Sequence, residues 1–156
     1  MIFMVMKKIK LTESDLYRII KQVLLEQEEE KRSITFSPGS FESLITSSSG
    51  EGFIRTLNNN YDEIIVNGEL DLNGTQIQSL PDNLHVEGGL YLDGTPIQSL
   101  PDNLYVKGNL GLYGTQIQSL PDNLRVTDTI YIYGTPLSDN DKLVAKYREK
   151  YTIDRT

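Results

Sequence analysis

"GTQIQSLPDNL" spans Gly74–Leu84 and returns unchanged at Gly114–Leu124, with "GTPIQSLPDNL" at Gly94–Leu104 between them. One eleven-residue phrase written three times, twenty residues apart, is the mark of a chain that stacks one structural unit on the next. The full repeats are "VNGELDLNGTQIQSLPDNLH" from Val66, "VEGGLYLDGTPIQSLPDNLY" from Val86 and "VKGNLGLYGTQIQSLPDNLR" from Val106. A fourth, "VTDTIYIYGTPLSDNDKLVA" from Val126, keeps the glycine-threonine step and then diverges.

Within one repeat, Val86, Leu90 and Leu92 share a parity, so one extended strand would point all three to the same side. Gly94-Thr95 ends that strand, Pro101 forbids a helix through the next corner, and Asp102-Asn103 supply turn chemistry. Each repeat thus reads as strand, bend and extended return. Alone it buries too little apolar surface to order itself, so it must lean on its neighbours. Identical neighbours require identical packing residues, which explains the copying.

Four segments follow. Residues 1–30 read as an N-terminal amphipathic helix, in which Leu16, Ile19, Ile20, Val23 and Leu24 line one face and form a docking surface. Thr12 is its expected N-cap, with Asp15 three residues on. Residues 31–60 read as a Ser/Gly-rich linker and N-terminal cap, and the stretch 31–52 as having little fixed structure. The stack occupies 61–137. Residues 138–156 read as a C-terminal helical cap, with Ser138 as N-cap and Leu143, Val144, Tyr147 and Tyr151 as its apolar side. The expected fold class is a mainly β solenoid closed by this helix.

Charge narrows the partners. Tyr61–Leu137 carries ten acids against Lys107 and Arg125, a net −8, while the ends are close to neutral. Such a surface repels phosphate backbones, so no nucleic-acid partner is expected. There is no cysteine, hence no thiolate nucleophile or disulfide. No apolar run is long enough to span a bilayer, and no membrane partner is expected. In "MIFMVMKKIK" the apolar residues precede the lysines and no cleavage site follows, so the opening does not read as a signal peptide; Met6 reads as the working start.

The pattern "LxLxGTxIxSLPxxL" resembles the leucine-rich repeat in its short bacterial form. Leu90 and Leu92 match the strand leucines, Ile97 the leucine after the ladder asparagine, and Leu100-Pro101 the leucine-proline step. The resemblance implies a stack of parallel strands. Thr75, Thr95, Thr115 and Thr135 stand where the family has its ladder asparagine. A hydroxyl can bond backbone within and between coils, though less completely than a carboxamide. A straighter parallel β-helix is the alternative architecture. "KKIKLTESDLYRIIKQVLLEQ" is similar to an opening segment shared by proteins of tailed bacteriophages. That similarity implies docking on a capsid or other virion protein, and Leu24-Leu25-Glu26 fits a phage processing pattern that would cut after Glu26.

Function is sought where the copies differ, because packing does not dictate those positions. Glu69, Asp71, Asn73, Tyr91, Asp93, Tyr113, Tyr131 and Tyr133 alternate with the core leucines and are expected on one outward face, acidic at one end and tyrosine-rich at the other. Tyrosine is enriched where proteins bind proteins, though it also stabilises exposed strands as a sheet former. His85 reads as a loop position, since Tyr105 and Arg125 replace it in later copies. Asp82, Asp102 and Asp122 read as turn residues. "ELDLNG" opens like a calcium loop but lacks the closing glutamate, as Leu80 stands there, so no metal is expected. No cofactor and no catalytic residue is expected, because a translated repeat does not converge unlike groups on one point.

The expectation is a non-enzymatic interaction module, virion-associated or, alternatively, an effector in the bacterial cytoplasm that binds a host protein. The open ends of the stack leave self-association available.

Overall fold

Every twenty-residue repeat contributes two short strands, one to each of two parallel sheets. The computed structural model describes residues 12–14, 17–19 and 31–156. It divides into two compact units, Met1–Lys31 and Arg32–Thr156. In the first, Glu13–Ser14 and Tyr17–Ile19 are helical, directly after Thr12, and Ile19 is exposed. Leu16, Ile20, Val23, Leu24 and Glu26 lie outside the described residues.

The second unit holds ten strands: β1 (Ser33–Phe36), β2 (Glu63–Val66), β3 (Leu70–Asp71), β4 (Leu84–Val86), β5 (Leu90–Tyr91), β6 (Tyr105–Val106), β7 (Leu110–Gly111), β8 (Arg125–Val126), β9 (Thr129–Tyr131) and β10 (Thr152–Asp154). Sheet A runs β1-β2-β4-β6-β8 and sheet B runs β10-β9-β7-β5-β3. All pairings are parallel, and within the repeats they join residues twenty apart, such as Leu70 to Leu90 and Leu90 to Leu110. The column Leu72, Leu92, Leu112 and Ile132 is fully buried. Its amides bond the next repeat: Leu72 to the Tyr91 carbonyl at 2.8 Å, Leu92 to Gly111 and Leu112 to Tyr131, each at 2.9 Å.

One strand per repeat is therefore a correction. Val86 belongs to sheet A and Leu90 to sheet B, and the chain turns between them at Glu87–Gly89. Shared parity held only because this corner preserves the inward direction on both sides. Gly88 makes it possible: a Cβ there would stand 2.6 Å from the Glu69 backbone nitrogen. The bend at Gly74, Gly94, Gly114 and Gly134 is as expected, with φ between 66° and 71°, in the left-handed region glycine favours.

The third side of the first three repeats carries no strand pairing, and Ile97 and Leu100 are buried there. At its end Asn83 and Asn103 adopt φ of 56° and 55°. Their amides form a ladder, Asn103 Nδ2 donating to Asn83 Oδ1 at 2.8 Å and Asn123 Nδ2 to Asn103 Oδ1 at 3.0 Å. The repeated threonines do something else. Thr95, Thr115 and Thr135 donate to carbonyls three residues back, Leu92, Leu112 and Ile132, at 2.7–2.8 Å. Their hydroxyls satisfy a buried carbonyl within a repeat, while asparagine joins one repeat to the next.

The linker reading of residues 31–52 is also corrected. Here β1 pairs with β2, and helices α1 (Pro38–Ile45) and α2 (Gly50–Asn60) follow. Phe41, Ile45, Ile54 and Leu57 are buried, and Phe36 meets Phe41 and Phe53 at ring separations of 5.5 and 6.0 Å. Serine and glycine dominate this segment by number, but the few apolar residues fall at helical spacing. Ser37 caps α1, with Pro38 at its first position.

At the other end, Asn140 rather than Ser138 caps helix α3 (Asp141–Arg148), its Oδ1 accepting from the Leu143 amide at 3.1 Å. Ser138 sits buried in the 3-10 turn Pro136–Asp139, its hydroxyl donating to the Thr135 carbonyl. Val144 and Tyr147 are buried as expected, and the Tyr147 hydroxyl lies 3.1 Å from both the amide and the carbonyl of Leu120. The segment is not helical throughout, since β10 adds a final strand to sheet B. Among the described residues no helix is long and apolar enough to cross a membrane.

Candidate functional site

The eight singled-out face residues stand together on the outer side of sheet B, on or beside β3, β5, β7 and β9. Strand alternation places them there, as Leu70, Leu72 and their equivalents take the inward positions. Seven of them, with Gly111, form two rows across the strands: Asp71, Tyr91, Gly111 and Tyr131, then Asn73, Asp93, Tyr113 and Tyr133; Glu69 stands just before β3.

The rows are not equally free. Asn73 Oδ1 accepts from the Asp93 amide at 2.7 Å, and Asp93 Oδ1 accepts from the Tyr113 amide at 2.8 Å. These outward side chains bridge repeats from outside, a role that variation among the copies conceals. Asp71 Oδ1 accepts from the Asn73 amide at 3.0 Å, and Asn109 Oδ1 from the Thr129 amide at 3.1 Å.

Tyr91 is half-buried and mainly structural. Its ring fills the space above two residues without side chains, because a Cβ on Gly89 would lie 2.8 Å from its hydroxyl and one on Gly111 would lie 3.1 Å from Cδ1. Burial raises its phenol above the ordinary 10, and the nearby Glu69 charge adds to this. A raised folded-state value means that neutral Tyr91 contributes stability in full below pH 10, and that this contribution is lost as pH rises through the folded value. The urea midpoint should therefore fall across alkaline pH, and Tyr91→Phe should flatten that fall; an identical pH profile for the variant refutes the assignment.

The remaining tyrosines are open. Tyr113, Tyr131 and Tyr133 keep 52%, 39% and 51% exposure. The rings of Tyr113 and Tyr133 stack at 5.3 Å and 17°. Asp71, Asn73 and Glu69 are also exposed.

Sheet A presents a different outer surface. His85 lies within β4, half-buried, with its ring 4.3 Å from that of Tyr105, so the loop reading does not hold. Its Nε2 approaches Glu87 Oε1 at 3.0 Å without hydrogen-bond alignment, and its Nδ1 lies 3.8 Å from Glu63 Oε1. Lys107 Nζ donates to Glu87 Oε2 at 2.9 Å. This bond holds the Glu87 carboxyl below its usual value and the Lys107 ammonium above its own. No such pair was legible in the sequence, though acid and base twenty apart at one repeat position, Glu87 and Lys107, are its signal.

Asp82 and Asp102 occupy the turns as expected, and Asp82 Oδ1 accepts from the Asp102 amide at 3.2 Å. Among the described residues no group of three or more His, Cys, Asp or Glu side chains could hold a metal ion. Comparison with protein-family models, with curated proteins and with solved structures finds no match to this chain.

Proposed function

We propose that the chain is a leucine-rich-repeat-like solenoid acting as a non-enzymatic protein-protein interaction module. It is carried with a tailed-phage particle through its N-terminal helix, and the outer face of sheet B is its docking surface. One observation carries the reading of the face: Tyr113, Tyr131 and Tyr133 remain exposed together, while Tyr91 on the same face is packed over glycines. Large, stiff side chains held in the open by a rigid sheet present contact area at little entropic cost. Parallel pairing at a constant offset of twenty supports the solenoid.

The virion part rests on the similarity of the opening segment to phage proteins. Deleting residues 1–30 should release the protein from purified particles, as read by mass spectrometry, while retaining its urea midpoint. Changing Tyr113, Tyr131 and Tyr133 together to Ser tests the face. Tyrosine is enriched among the side chains that carry interface affinity, so losing three together predicts a drop of about tenfold or more in partner affinity. Unchanged partner binding by a folded triple variant removes the docking face.

A further inference from the structure

Building on the reading of this face as a docking surface, we propose that its partner presents an arginine, whose guanidinium lies between the Asp93 carboxylate and the open side of the Tyr113 ring. The chain has fifteen lysines and arginines, yet none occurs in 69–73, 89–93, 109–113 or 129–133, the segments that carry the eight face residues. Glu69, Asp71 and Asp93 all stand there, and among the described residues each meets only neutral donors: the Tyr91 hydroxyl at 3.5 Å, the Asn73 amide and the Tyr113 amide. On sheet A the same chain does pair its acid, Glu87 with Lys107. Among the described residues, the outer face of sheet B across β3, β5, β7 and β9 is left without a cation, Arg148 acting only on Asp154 of β10 at the edge.

Geometry selects the site within the face. Asn73, Asp93, Tyr113 and Tyr133 follow one another along the stack, about 4.8 Å apart. Tyr133 covers one side of the Tyr113 ring, so the other side looks along the row toward Asp93. Asp93 uses Oδ1 for the Tyr113 amide and leans over Gly111, where a Cβ would stand 2.9 Å from that oxygen. Its carboxylate is thereby fixed, and among the described residues Oδ2 has no hydrogen-bond partner. A planar cation can donate to a fixed carboxylate and lie against an aromatic ring at once; an ammonium supplies charge without the plane. A neutral or acidic partner would bury uncompensated carboxylates, which costs more than the tyrosine contacts return.

The test uses the full chain and three synthetic peptides on one Gly/Ser framework, bearing arginines, lysines or glutamates. The arginine peptide should shift the Tyr113 ring signals in NMR spectra and bind about fivefold more tightly than the lysine peptide, weakening with salt. Asp93→Asn keeps an oxygen for the Tyr113 amide and removes only the charge, so the fold should survive; arginine-peptide affinity should fall about fivefold. Asp71→Asn serves as a second variant of the same design, with a smaller loss.

No shift at Tyr113, equal binding of the glutamate peptide, or unchanged affinity in Asp93→Asn overturns the proposal. Its failure is distinguishable from failure of the docking face. Partner binding that survives Asp93→Asn and Asp71→Asn but is lost in the triple tyrosine variant keeps the face and rejects the cationic partner.

Discussion

Replacing Gly88 by Ala should cost the protein about 3 kcal/mol, at the upper end for overpacking. The added Cβ would meet three backbone atoms: Glu69 N at 2.6 Å, and Glu69 Cα and Gly68 C at 2.8 Å. Backbone cannot rotate aside as a side chain does, so the corner joining sheets A and B must lift from the corner beneath it. That movement strains the pairing of β4 with β2 and of β5 with β3 together. Two other glycines calibrate the result. Gly52 lies in α2 with nothing near its would-be Cβ, so Ala there should stabilise by about 0.5–1 kcal/mol. Gly74 also has space but a φ of +66°, so Ala should cost about 1 kcal/mol from backbone strain alone. Urea unfolding of the three variants gives the ranking, and a Gly88→Ala midpoint no lower than that of Gly74→Ala would show that the corners do not stack this tightly.

The second large effect concerns a segment that composition reads as a linker. Phe41→Ala should destabilise by about 3–5 kcal/mol. Phe41 is fully buried in α1, tilted against Phe36 on β1, which in turn meets Phe53 on α2. Removing its ring leaves a cavity where the first helix, the first strand and the second helix converge. Limited proteolysis should then cut within residues 32–60 at concentrations of protease that leave the parent intact. A true linker would be cut equally in both and would show no change in urea midpoint.

The repeats were legible because stacking writes itself into sequence: burying Leu72, Leu92, Leu112 and Ile132 in one column forces the same apolar residue to recur. The corner at Glu87–Gly89 was not, because residues on either side of it keep the inward parity of a continuous strand. Only Gly68, Gly88 and Gly108, recurring where no turn had been placed, carried a hint. Residues 31–52 were misjudged for the opposite reason. Their structure rests on Phe36, Phe41, Ile45, Phe53, Ile54 and Leu57, six residues diluted among serines and glycines. Capping slipped by two positions, from Ser138 to Asn140, because a 3-10 turn intervenes and sequence does not distinguish the two caps.

For the candidate site, alternation alone placed all eight residues on one side of sheet B. Sequence could not divide them by job. Variation at Asn73 and Asp93 suggested freedom from packing, yet each accepts a backbone amide of the following repeat. Tyr91 differs from Tyr113 through what lies beneath it, glycines at 89 and 111, and that dependence on neighbours twenty residues away is invisible along the chain.

The constant offset between paired strands also bears on how the molecule assembles. From β2 to β8 and from β3 to β9, each new pairing closes a loop of the same modest length, so the entropic toll of closure does not grow as the chain is laid down. No partner strand has to wait for a distant stretch of polypeptide. Ordering can begin at any adjacent pair and spread in both directions, and the emerging chain can gain structure one increment at a time as it leaves the ribosome.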